Sequence, residues 1–374
     1  MSMPDATAPK GQTMSREGFG VPATMSAVLL TGHGGSEKLE FRTDVATPSP
    51  RAGEVLIRVR AAGVNNTDIN TRTGWYAKSV TGASGEAGVA ATGENGGWTG
   101  ALKFPRIQGA DCFGDIVAVG PGVDTARIGQ PVLVATMQNG LGNGEPYSFG
   151  TLGSECDGAF AQYCMALSAE AHRVDSTLSD AELGAIPCAW STAEGMLQRI
   201  GLGAGERVLV TGASGGVGLA AVQLAKLRGA AVAAQSAPDK AQAVRDCGAD
   251  EIVGREAIGA DALAENGFDA IVDVVGGPQF AHMPRLLRPG GRYVACGAIA
   301  GPMVGFDLRD LYLKDLSLHG ATWQPPGVFE ALVGHVNNGR LKPLVSKIFP
   351  LRDIAAAQEA FLSKQYPGKI VLIP

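Results

Sequence analysis

The stretch that decides the fold is Val208-Leu-Val-Thr-Gly-Ala-Ser-Gly-Gly-Val-Gly218, in which a short apolar run leads into a glycine-rich turn. From Gly216 to Arg228 the apolar residues recur at helical spacing, so the turn connects a strand to an amphipathic helix. Glycine lets the backbone approach a pyrophosphate closely, and a helix N-terminus offers free N–H groups and a positive dipole end. The segment therefore predicts a dinucleotide-binding turn.

The glycine pattern departs from the strict G-x-G-x-x-G fingerprint. Its register is Ala213-Ser-Gly215-Gly-Val-Gly218, with alanine at the first position and an extra residue after Gly212. A tight strand-to-helix connection without a ligand would look similar, but the flanking strand and helix favour a nucleotide site. The predicted cofactor-binding residues of the turn are Gly212, Ala213, Ser214, Gly215, Gly216, Val217 and Gly218.

Strands and helices alternate around this turn, which predicts an α/β fold with a doubly wound parallel sheet. The strands of this part are predicted at 207–210, 231–234, 268–275 and 292–296, and its helices at 216–228, 239–247 and 280–287. The preceding part shows short strands at 27–30, 55–59 and 113–119, which favour an all-β or barrel-like arrangement. A helix at 354–363 and a strand at 369–373 are predicted near the C-terminus.

Three segments stand apart from these elements. Residues 1–24 are small and polar, and we expect a mobile arm. The segments 77–103 and 136–158 are rich in glycine and are interpreted as long loops. Each is either a surface insertion or part of the site, and for 77–103 a substrate lid is the functional alternative.

Composition excludes several classes of protein. The net charge of the 374 residues is −5, so a basic face for nucleic acid is not expected. No apolar run approaches the roughly 18 residues of a membrane span. The six cysteines include no CxxC pair, which argues against a zinc ribbon or a disulfide framework and favours a cytoplasmic protein.

The choice of dinucleotide is predicted from the end of the second strand of the parallel sheet. An acidic side chain there would bind the ribose of NAD, whereas the strand ends Ala233-Ala-Gln-Ser236 without one. Ser236 can donate to a phosphate and Lys240 can supply positive charge, although Asp239 lies nearby. These residues favour NADPH as the cofactor.

In this order the motifs resemble the medium-chain dehydrogenase/reductase superfamily, most closely its zinc-independent quinone oxidoreductase and enoyl reductase branches. The similarity is carried by Ala61-Ala-Gly-Val-Asn-Asn-Thr-Asp68, Pro105-Arg-Ile-Gln-Gly-Ala-Asp111, Asp157-Gly-Ala-Phe-Ala-Gln-Tyr163, Ser191-Thr192 and Gly368-Lys369. The resemblance implies a GroES-like β-barrel domain at 25–187 with 329–374. It also implies a Rossmann domain at 188–328, with the nicotinamide in the cleft between the two.

The resemblance also implies further cofactor contacts. Thr192 matches a residue that approaches the nicotinamide, and Lys369 matches a basic position that reaches the cofactor phosphates. Gly276, Gly297 and Ala298 end strands at the edge of the crevice in which such sheets bind ligands.

Comparison with zinc-dependent relatives predicts that the site holds no metal. Those relatives have cysteine at Asn65 and His-Glu at Ala110-Asp111, and only Cys188 matches their third ligand. Catalytic zinc needs three protein ligands from cysteine, histidine or carboxylate, which this set does not supply. The lobe for a structural zinc would fall in 136–158, where Cys156 is the one cysteine.

Chemistry without a metal points to the reduction of an activated double bond. Hydride delivered to a conjugated carbonyl develops charge on the carbonyl oxygen, which neutral donors can stabilise. Asn65 is the candidate donor, with stabilisation of a turn as the alternative role.

The string Asp68-Ile-Asn-Thr-Arg-Thr-Gly-Trp-Tyr76 is similar to one in mitochondrial-type enoyl thioester reductases. In those enzymes the matching tyrosine is implicated as a proton donor, and a phenol is protonated at neutral pH. Tyr76 is therefore a candidate proton donor, or else a half-buried aromatic that shapes a pocket. Thr67 matches a hydroxyl that relays protons in zinc-dependent relatives.

The leading hypothesis is an NADPH-dependent, metal-free oxidoreductase that reduces a quinone or enone. A 2-enoyl-thioester reductase is the first alternative, with a basic rim that Arg72, Lys78, Lys103 and Arg106 could supply. A non-catalytic NADPH-binding protein like the zeta-crystallins is the second, although retention of Asn65, Thr67 and Tyr76 favours catalysis.

The quaternary structure is predicted from one strand. Residues 315–321 match the edge strand across which family dimers pair, and an uncovered edge strand is a hazard for association. We therefore expect a homodimer acting on a small-molecule substrate, without nucleic acid or membrane partners. The physiological acceptor does not follow from the sequence.

Overall fold

The computed structural model describes residues 20–85, 96–98, 100–142, 145, 147–259 and 262–374. Residues 1–19 of the predicted arm therefore lie outside the described residues. Parts of the segments 77–103 and 136–158 also lie outside them. Over the described ranges, no helix is long and apolar enough to cross a membrane.

The described part of the chain forms eighteen strands and nine α-helices. The strands are β1 (Thr24–Leu30), β2 (Leu39–Ala46), β3 (Glu54–Gly63), β4 (Arg106–Ile107), β5 (Phe113–Val119), β6 (Pro131–Val134), β7 (Met137–Gln138), β8 (Gly150–Thr151), β9 (Tyr163–Leu167), β10 (Ala171–Arg173), β11 (Arg207–Val210), β12 (Ala231–Gln235), β13 (Glu251–Val253), β14 (Phe268–Asp273), β15 (Leu287–Ala295), β16 (Ser317–Gly320), β17 (Val345–Pro350) and β18 (Lys369–Ile373). The helices are α1 (Asn66–Thr73), α2 (Asp180–Gly184), α3 (Pro187–Arg199), α4 (Gly216–Leu227), α5 (Ala241–Asp246), α6 (Met283–Leu286), α7 (Leu308–Tyr312), α8 (Val328–Asn337) and α9 (Ile354–Leu362).

The first part of the chain is built on β3, whose burial is nearly continuous. This strand pairs antiparallel with β5, β9 and β18 in a seven-stranded sheet, and β2, β1 and β4 form a smaller sheet beside it. The core between these strands holds Ile57, Ile116 and Phe160, each fully buried. The C-terminal strand thus completes the sheet of the first part, as the GroES-like expectation requires.

The second part is a six-stranded parallel sheet in the order β13-β12-β11-β14-β15-β16. Its central strand β11 is apolar at Val208, Leu209 and Val210, which are fully buried because both faces of the sheet are covered. This arrangement confirms the predicted α/β class with a doubly wound sheet. The predicted strand and helix on either side of the glycine-rich turn are confirmed as β11 and α4.

Two predicted helices are interrupted. The segment 239–247 forms a 3₁₀ turn at Pro238–Lys240 followed by α5, and 280–287 forms a 3₁₀ turn at Gly277–His282 followed by α6. Proline near the start of each turn and of α6 removes a backbone donor, which limits the regular helix.

The domain boundaries stay a prediction. Helix α8 packs on α3, and its residues Phe329, Leu332 and Val336 join the core that covers the parallel sheet. Strands β17 and β18 belong instead to the sheet of the first part. The chain therefore leaves the second part somewhere between α8 and β17.

Candidate active site

Two adjoining cavities open between the two parts of the fold. The first, of about 310 Å³, is lined by the glycine-rich turn and by the C-terminal segment before β18. The second, of about 260 Å³, is lined by α1, α3 and the loops that end β14 and β15. Asn65, Asn66, Val217, Val274 and Ile299 line both, so a bound molecule in one cavity would contact a molecule in the other.

The glycine-rich turn has the geometry that an anion requires. Gly212 has a φ of +55°, and a Cβ on Gly218 would lie 2.4 Å from the Gly212 carbonyl oxygen. Gly215 precedes α4 in an extended conformation and has no side chain to cap it. The first N–H groups of α4 therefore face the cavity without an intrahelical partner, which suits a pyrophosphate.

Most of the predicted cofactor residues line these cavities. Those that line the first are Gly212, Ser214, Gly215, Gly216, Val217, Gly218, Lys240 and Lys369. Those that line the second are Thr192, Val217, Gly297 and Ala298.

Three predicted cofactor residues do not line either cavity. Ala213 is fully buried and its N–H donates to the Gln235 carbonyl. Ser236 is buried, and its hydroxyl donates to the Ala237 carbonyl at 3.1 Å. Gly276, with a φ of +61°, donates its N–H to the carboxylate of Asp273. The N–H groups of Ala213 and Gly276 and the hydroxyl of Ser236 are thus used within the protein, and the cofactor roles of these three residues stay predictions.

The first cavity carries a group of cations that the sequence reveals only in part. Lys240, Arg255 and Lys364 line it from the ends of β12 and β13 and from the segment after α9. No carboxylate lines this cavity among the residues that the structure describes, and Asp239 is exposed away from it. Arg255 and Lys364 were missed because their approach depends on tertiary packing, and no local motif indicates it.

At the base of the cleft lies an ion pair between Lys369 and Asp111. Their atoms Nζ and Oδ2 are 2.8 Å apart, and both side chains are almost fully buried. Lys369 also donates to the Asn65 amide oxygen at 2.6 Å, and the Asn65 amide donates to Asp111 at 2.8 Å. The backbone N–H of Cys188 completes the carboxylate contacts at 2.6 Å.

Asn65, Asp111 and Lys369 form a hydrogen-bonded triangle, and the role of Asn65 as a donor to the substrate stays a prediction. Its amide group donates to Asp111 and to the Gly63 carbonyl, so both N–H donors are used within the protein. A substrate oxygen would have to displace one of these partners. We therefore regard Asn65 as a residue that satisfies the buried ion pair, and Lys369 as tied to that pair rather than to a phosphate in this conformation.

The donor set does not fit a catalytic metal. Asp111 is already paired with Lys369, and Asn65 and Ala110 offer no zinc ligand, so Cys188 is the one side chain left of the matching set. No group of three or more histidine, cysteine or carboxylate side chains suitable for a metal occurs in the described part of the chain.

Helix α1 positions the hydroxyl groups of the second cavity. Asn65 caps the helix in a capping box with Asp68, whose carboxylate accepts the N–H of Asn65 at 2.8 Å. Burial is the main cause that raises the pKa of Asp68 to about 7. The helix ends at Gly74, whose φ of +72° turns the chain toward Trp75 and Tyr76.

Tyr76 lies in the second cavity with its hydroxyl 3.3 Å from Oγ1 of Thr67. Burial raises the pKa of Tyr76 to about 12, so its phenol stays protonated across the neutral range. The ring of Trp98 stacks on it at 6.3 Å between centroids, and Trp75 packs edge-on at 5.7 Å. The structure thus brings Thr67 and Tyr76 together in one cavity, and their catalytic roles stay predictions.

The described start of the segment 77–103 is hydrogen-bonded to α1 and to the loop after β15. Ser84 accepts a hydrogen bond from the Asn66 amide at 3.0 Å and donates its hydroxyl to Asn70. Its backbone N–H donates to the Ile299 carbonyl at 2.9 Å, on the loop that follows β15. Ser84 thus connects α1 to the parallel-sheet part of the protein, a contact that sequence reasoning missed.

The basic rim predicted for a thioester substrate does not assemble. Arg72 is buried and donates to the Gln358 side chain at 2.8 Å and the Gly34 carbonyl at 2.7 Å. Arg106 pairs with Asp157 at 2.7 Å, while Lys78 and Lys103 are exposed. None of these four residues lines the second cavity, whose described lining carries no charged side chain.

Two family models match the chain in tandem. The model of an alcohol dehydrogenase GroES-like domain matches residues 51–176, and that of a zinc-binding dehydrogenase matches residues 216–338. The first match covers β3 to β10, and the second runs from α4 to α8. The two matches therefore follow the two parts of the fold.

Similar proteins extend over almost the whole chain. A quinone oxidoreductase from Lama guanicoe is 30% identical over 363 residues, 93% of this chain and 97% of the relative. An acryloyl-coenzyme A reductase from Metallosphaera sedula is 28% identical over 358 residues, 93% of this chain and 99% of the relative. A solved structure from Sinorhizobium meliloti 1021, assigned as an alcohol dehydrogenase, is 44% identical with a TM-score of 0.85, covering 95% and 98% of the two chains.

Proposed function

Because the chain belongs to the medium-chain dehydrogenase/reductase superfamily, in its quinone oxidoreductase-like branch, we propose that it is an NADPH-dependent, metal-free reductase of conjugated carbonyls. The observation that carries this proposal is the second cavity, which has an aromatic wall, hydroxyl donors and an uncharged lining. Such a cavity suits a planar, uncharged acceptor such as a quinone or an enone.

The first cavity holds the cofactor in this proposal. The turn 212–218 receives the pyrophosphate at the N-terminus of α4, and Lys240 with Arg255 faces the adenosine end. Thr192, Gly297 and Ala298, which line the second cavity, border the nicotinamide end. When bound, the reduced nicotinamide supplies the hydride.

The absence of metal chemistry is supported by the buried triangle of Asn65, Asp111 and Lys369. The ammonium of Lys369 donates to Asn65 and to Asp111. Asn65 stands where the zinc-dependent relatives have a cysteine, and Asp111 stands where they have the glutamate of His-Glu. A divalent cation would have to displace this ammonium and leave it buried without a partner, which is costly. The triangle therefore favours an electrostatic environment made by protein groups alone.

Tyr76 is the proton donor in this proposal. Reduction of an enone adds hydride to the β-carbon and a proton to the α-carbon or the carbonyl oxygen. The Tyr76 phenol lies within the cavity, carries a proton at neutral pH and is oriented by Thr67. Thr192 is less suited, since its hydroxyl donates to the Cys188 carbonyl at 2.7 Å.

A 2-enoyl-thioester reductase remains the second candidate. The similarity to an acryloyl-coenzyme A reductase and the placement of Tyr76 favour it. The lack of charge in the described cavity lining and the burial of Arg72 favour the uncharged acceptor. A non-catalytic, zeta-crystallin-like role is disfavoured, because cofactor binding alone does not need a tyrosine aligned with Thr67.

The acceptor panel that tests this proposal compares 1,4-naphthoquinone, a cyclic enone and crotonyl-CoA, each with NADPH and the purified protein. We expect the highest kcat/KM with the quinone or the enone. A preference for crotonyl-CoA would transfer the assignment to the thioester reductases. Binding of NADPH without turnover of any of the three would contradict the proposed activity.

We also propose a homodimer. Strand β16 lies at the edge of the parallel sheet, and Leu318 on it is exposed. Exposed apolar side chains of Leu308, Tyr312 and Leu313 lie close by in sequence on α7 and just after it. Pairing of two copies across this edge would cover both features.

The cytoplasmic location stays a prediction.

A further inference from the structure

The segment between α9 and β18 brings a cation into the lining of the first cavity. Lys364 lines that cavity together with Phe361, Tyr366 and Gly368. The N–H of Gly368 donates to the Ser214 carbonyl at 2.8 Å, which ties this segment to the turn. Lys364 has a φ of +52° and follows the C-cap residue Ser363 of α9, a position where helices commonly end in the left-handed conformation.

Lys364 and Lys240 are neighbours in this cavity. The ammonium of Lys240 donates to the Lys364 carbonyl, and Lys240 itself is only 7% exposed. The ammonium of Lys364 lies over the Phe361 ring, 4.1 Å from its centroid. Desolvation and the charge of Lys240 together lower the pKa of Lys364 to about 8. Two cations thus face one space without a carboxylate between them.

The location of this cationic pair matches one part of a dinucleotide. Lys240 follows β12, Arg255 follows β13, and the adenosine ribose of a dinucleotide lies where the second strand of such a sheet ends. NAD(H) would leave the repulsion between the cations unbalanced, whereas a 2′-phosphate brings a dianion to them.

We propose that Lys364 is a specificity-determining residue that contacts the 2′-phosphate of NADPH together with Lys240 and Arg255. This inference rests on the proposed NADPH dependence and extends it to the C-terminal segment. It makes the phosphate a bridge between the two parts of the protein, since Lys364 belongs to the segment that enters the sheet of the first part.

The test measures dissociation constants by calorimetry for NADPH, NADH, 2′,5′-ADP and 5′-AMP. We expect Lys364→Met to weaken NADPH and 2′,5′-ADP binding by about 10- to 100-fold, as for loss of a charged hydrogen bond. NADH and 5′-AMP should change by less than about twofold. Lys364→Arg should retain the preference, and Lys342→Met, an exposed lysine outside the cavity, is the matched control.

The outcomes separate this inference from the proposed cofactor. Wild-type protein that binds NADH as tightly as NADPH would contradict the NADPH dependence itself. Wild-type preference for NADPH that Lys364→Met leaves intact would overturn the role of Lys364 alone. Equal losses for NADPH and NADH in Lys364→Met would also overturn it, because they would indicate a structural defect rather than phosphate recognition.

Discussion

Buried charge dominates the site at the scale of single residues. The ion pair of Lys369 with Asp111 is removed from water, and such a pair is stable only when its remaining polar atoms are satisfied. Asn65 and the N–H of Cys188 satisfy them. An aliphatic residue at position 65 would leave the ammonium and the carboxylate short of one partner each.

The hydrogen-bond partners of Asn65 do not follow from the sequence alone, for a physical reason. The residues around it indicate only that a polar side chain stands where zinc-dependent relatives have a cysteine ligand. The group that Asn65 contacts, Lys369, lies 304 residues away in β18. The direction of the amide therefore depends on the completed sheet, whereas the hydroxyl pair of Thr67 and Tyr76, only nine residues apart, could be predicted from a local motif.

Replacing Tyr76 with phenylalanine tests the proposed proton donor. The change removes the phenolic O–H and keeps the ring that stacks on Trp98. We expect kcat with an enone to fall by about 10²- to 10⁴-fold, with the dissociation constant of NADPH unchanged. Tyr147→Phe, an exposed tyrosine outside both cavities, serves as the control. A kcat for Tyr76→Phe within about threefold of wild type would rule out the assignment.

Asp68 should make stability depend on pH. Its folded-state pKa of about 7 exceeds the ordinary value of 3.8, so the folded protein holds this proton more tightly than the unfolded chain. The contribution to the free energy of unfolding therefore falls as pH rises from about 4 to about 7 and is constant above that. Asp68→Asn, which still accepts the N–H of Asn65, should remove this decline.

The measurement is the thermal midpoint of wild type and Asp68→Asn at several pH values between about 5 and 8. The thermal midpoint of Asp68→Asn should rise relative to that of the wild type as pH increases. A constant difference across this range would show that Asp68 does not titrate there.

At the scale of elements, the glycine-rich turn and helix α1 position the site by different means. The turn depends on close approach between backbone segments. The sequence indicates this through the glycines that stand between an apolar strand and an amphipathic helix. Helix α1 is polar along most of its length, so no apolar period marks it. Its signal is the capping pair Asn65 and Asp68, which is short and common, and the helix was missed for this reason.

Gly218→Ala tests the packing of the turn. The added Cβ would lie 2.4 Å from the Gly212 carbonyl oxygen and 2.5 Å from Cα of Ala213, both in the backbone. We expect α4 to shift from β11, the free energy of unfolding to fall by about 1–3 kcal/mol as overpacking does elsewhere, and NADPH binding to weaken. Gly203→Ala, where a Cβ meets no atom closer than 3.8 Å, is the control. Unchanged calorimetric binding in Gly218→Ala would contradict close packing at this turn.

At the scale of the whole molecule, the two parts were predictable separately and the cleft was not. The parallel sheet follows from alternating apolar strands and helices, and the β-rich part from short strands between turns. The cavities depend on contacts that join distant segments, such as Ser84 with Ile299 and Gly368 with Ser214. No local pattern records these contacts, so Arg255, Lys364 and Ser84 could not be found.

The edge of the parallel sheet leads to a prediction about assembly. Leu318 is 39% exposed on β16, whose outer edge has no paired strand within the described chain. Leu318→Lys places a charge at the proposed dimer contact and should yield a monomer in sedimentation analysis at micromolar concentration. Ile348→Lys, on β17 of the other sheet, should leave the dimer intact. A wild-type monomer under the same conditions would contradict the proposed dimer.

The central claim is that this molecule reduces conjugated carbonyls without a metal. The most direct measurement determines zinc content by mass spectrometry on the same preparation whose NADPH oxidation with 1,4-naphthoquinone is followed. We predict turnover with far less than one zinc per chain, unchanged after treatment with a strong chelator. One zinc per chain, together with loss of turnover on chelation and recovery on adding zinc, would contradict the account.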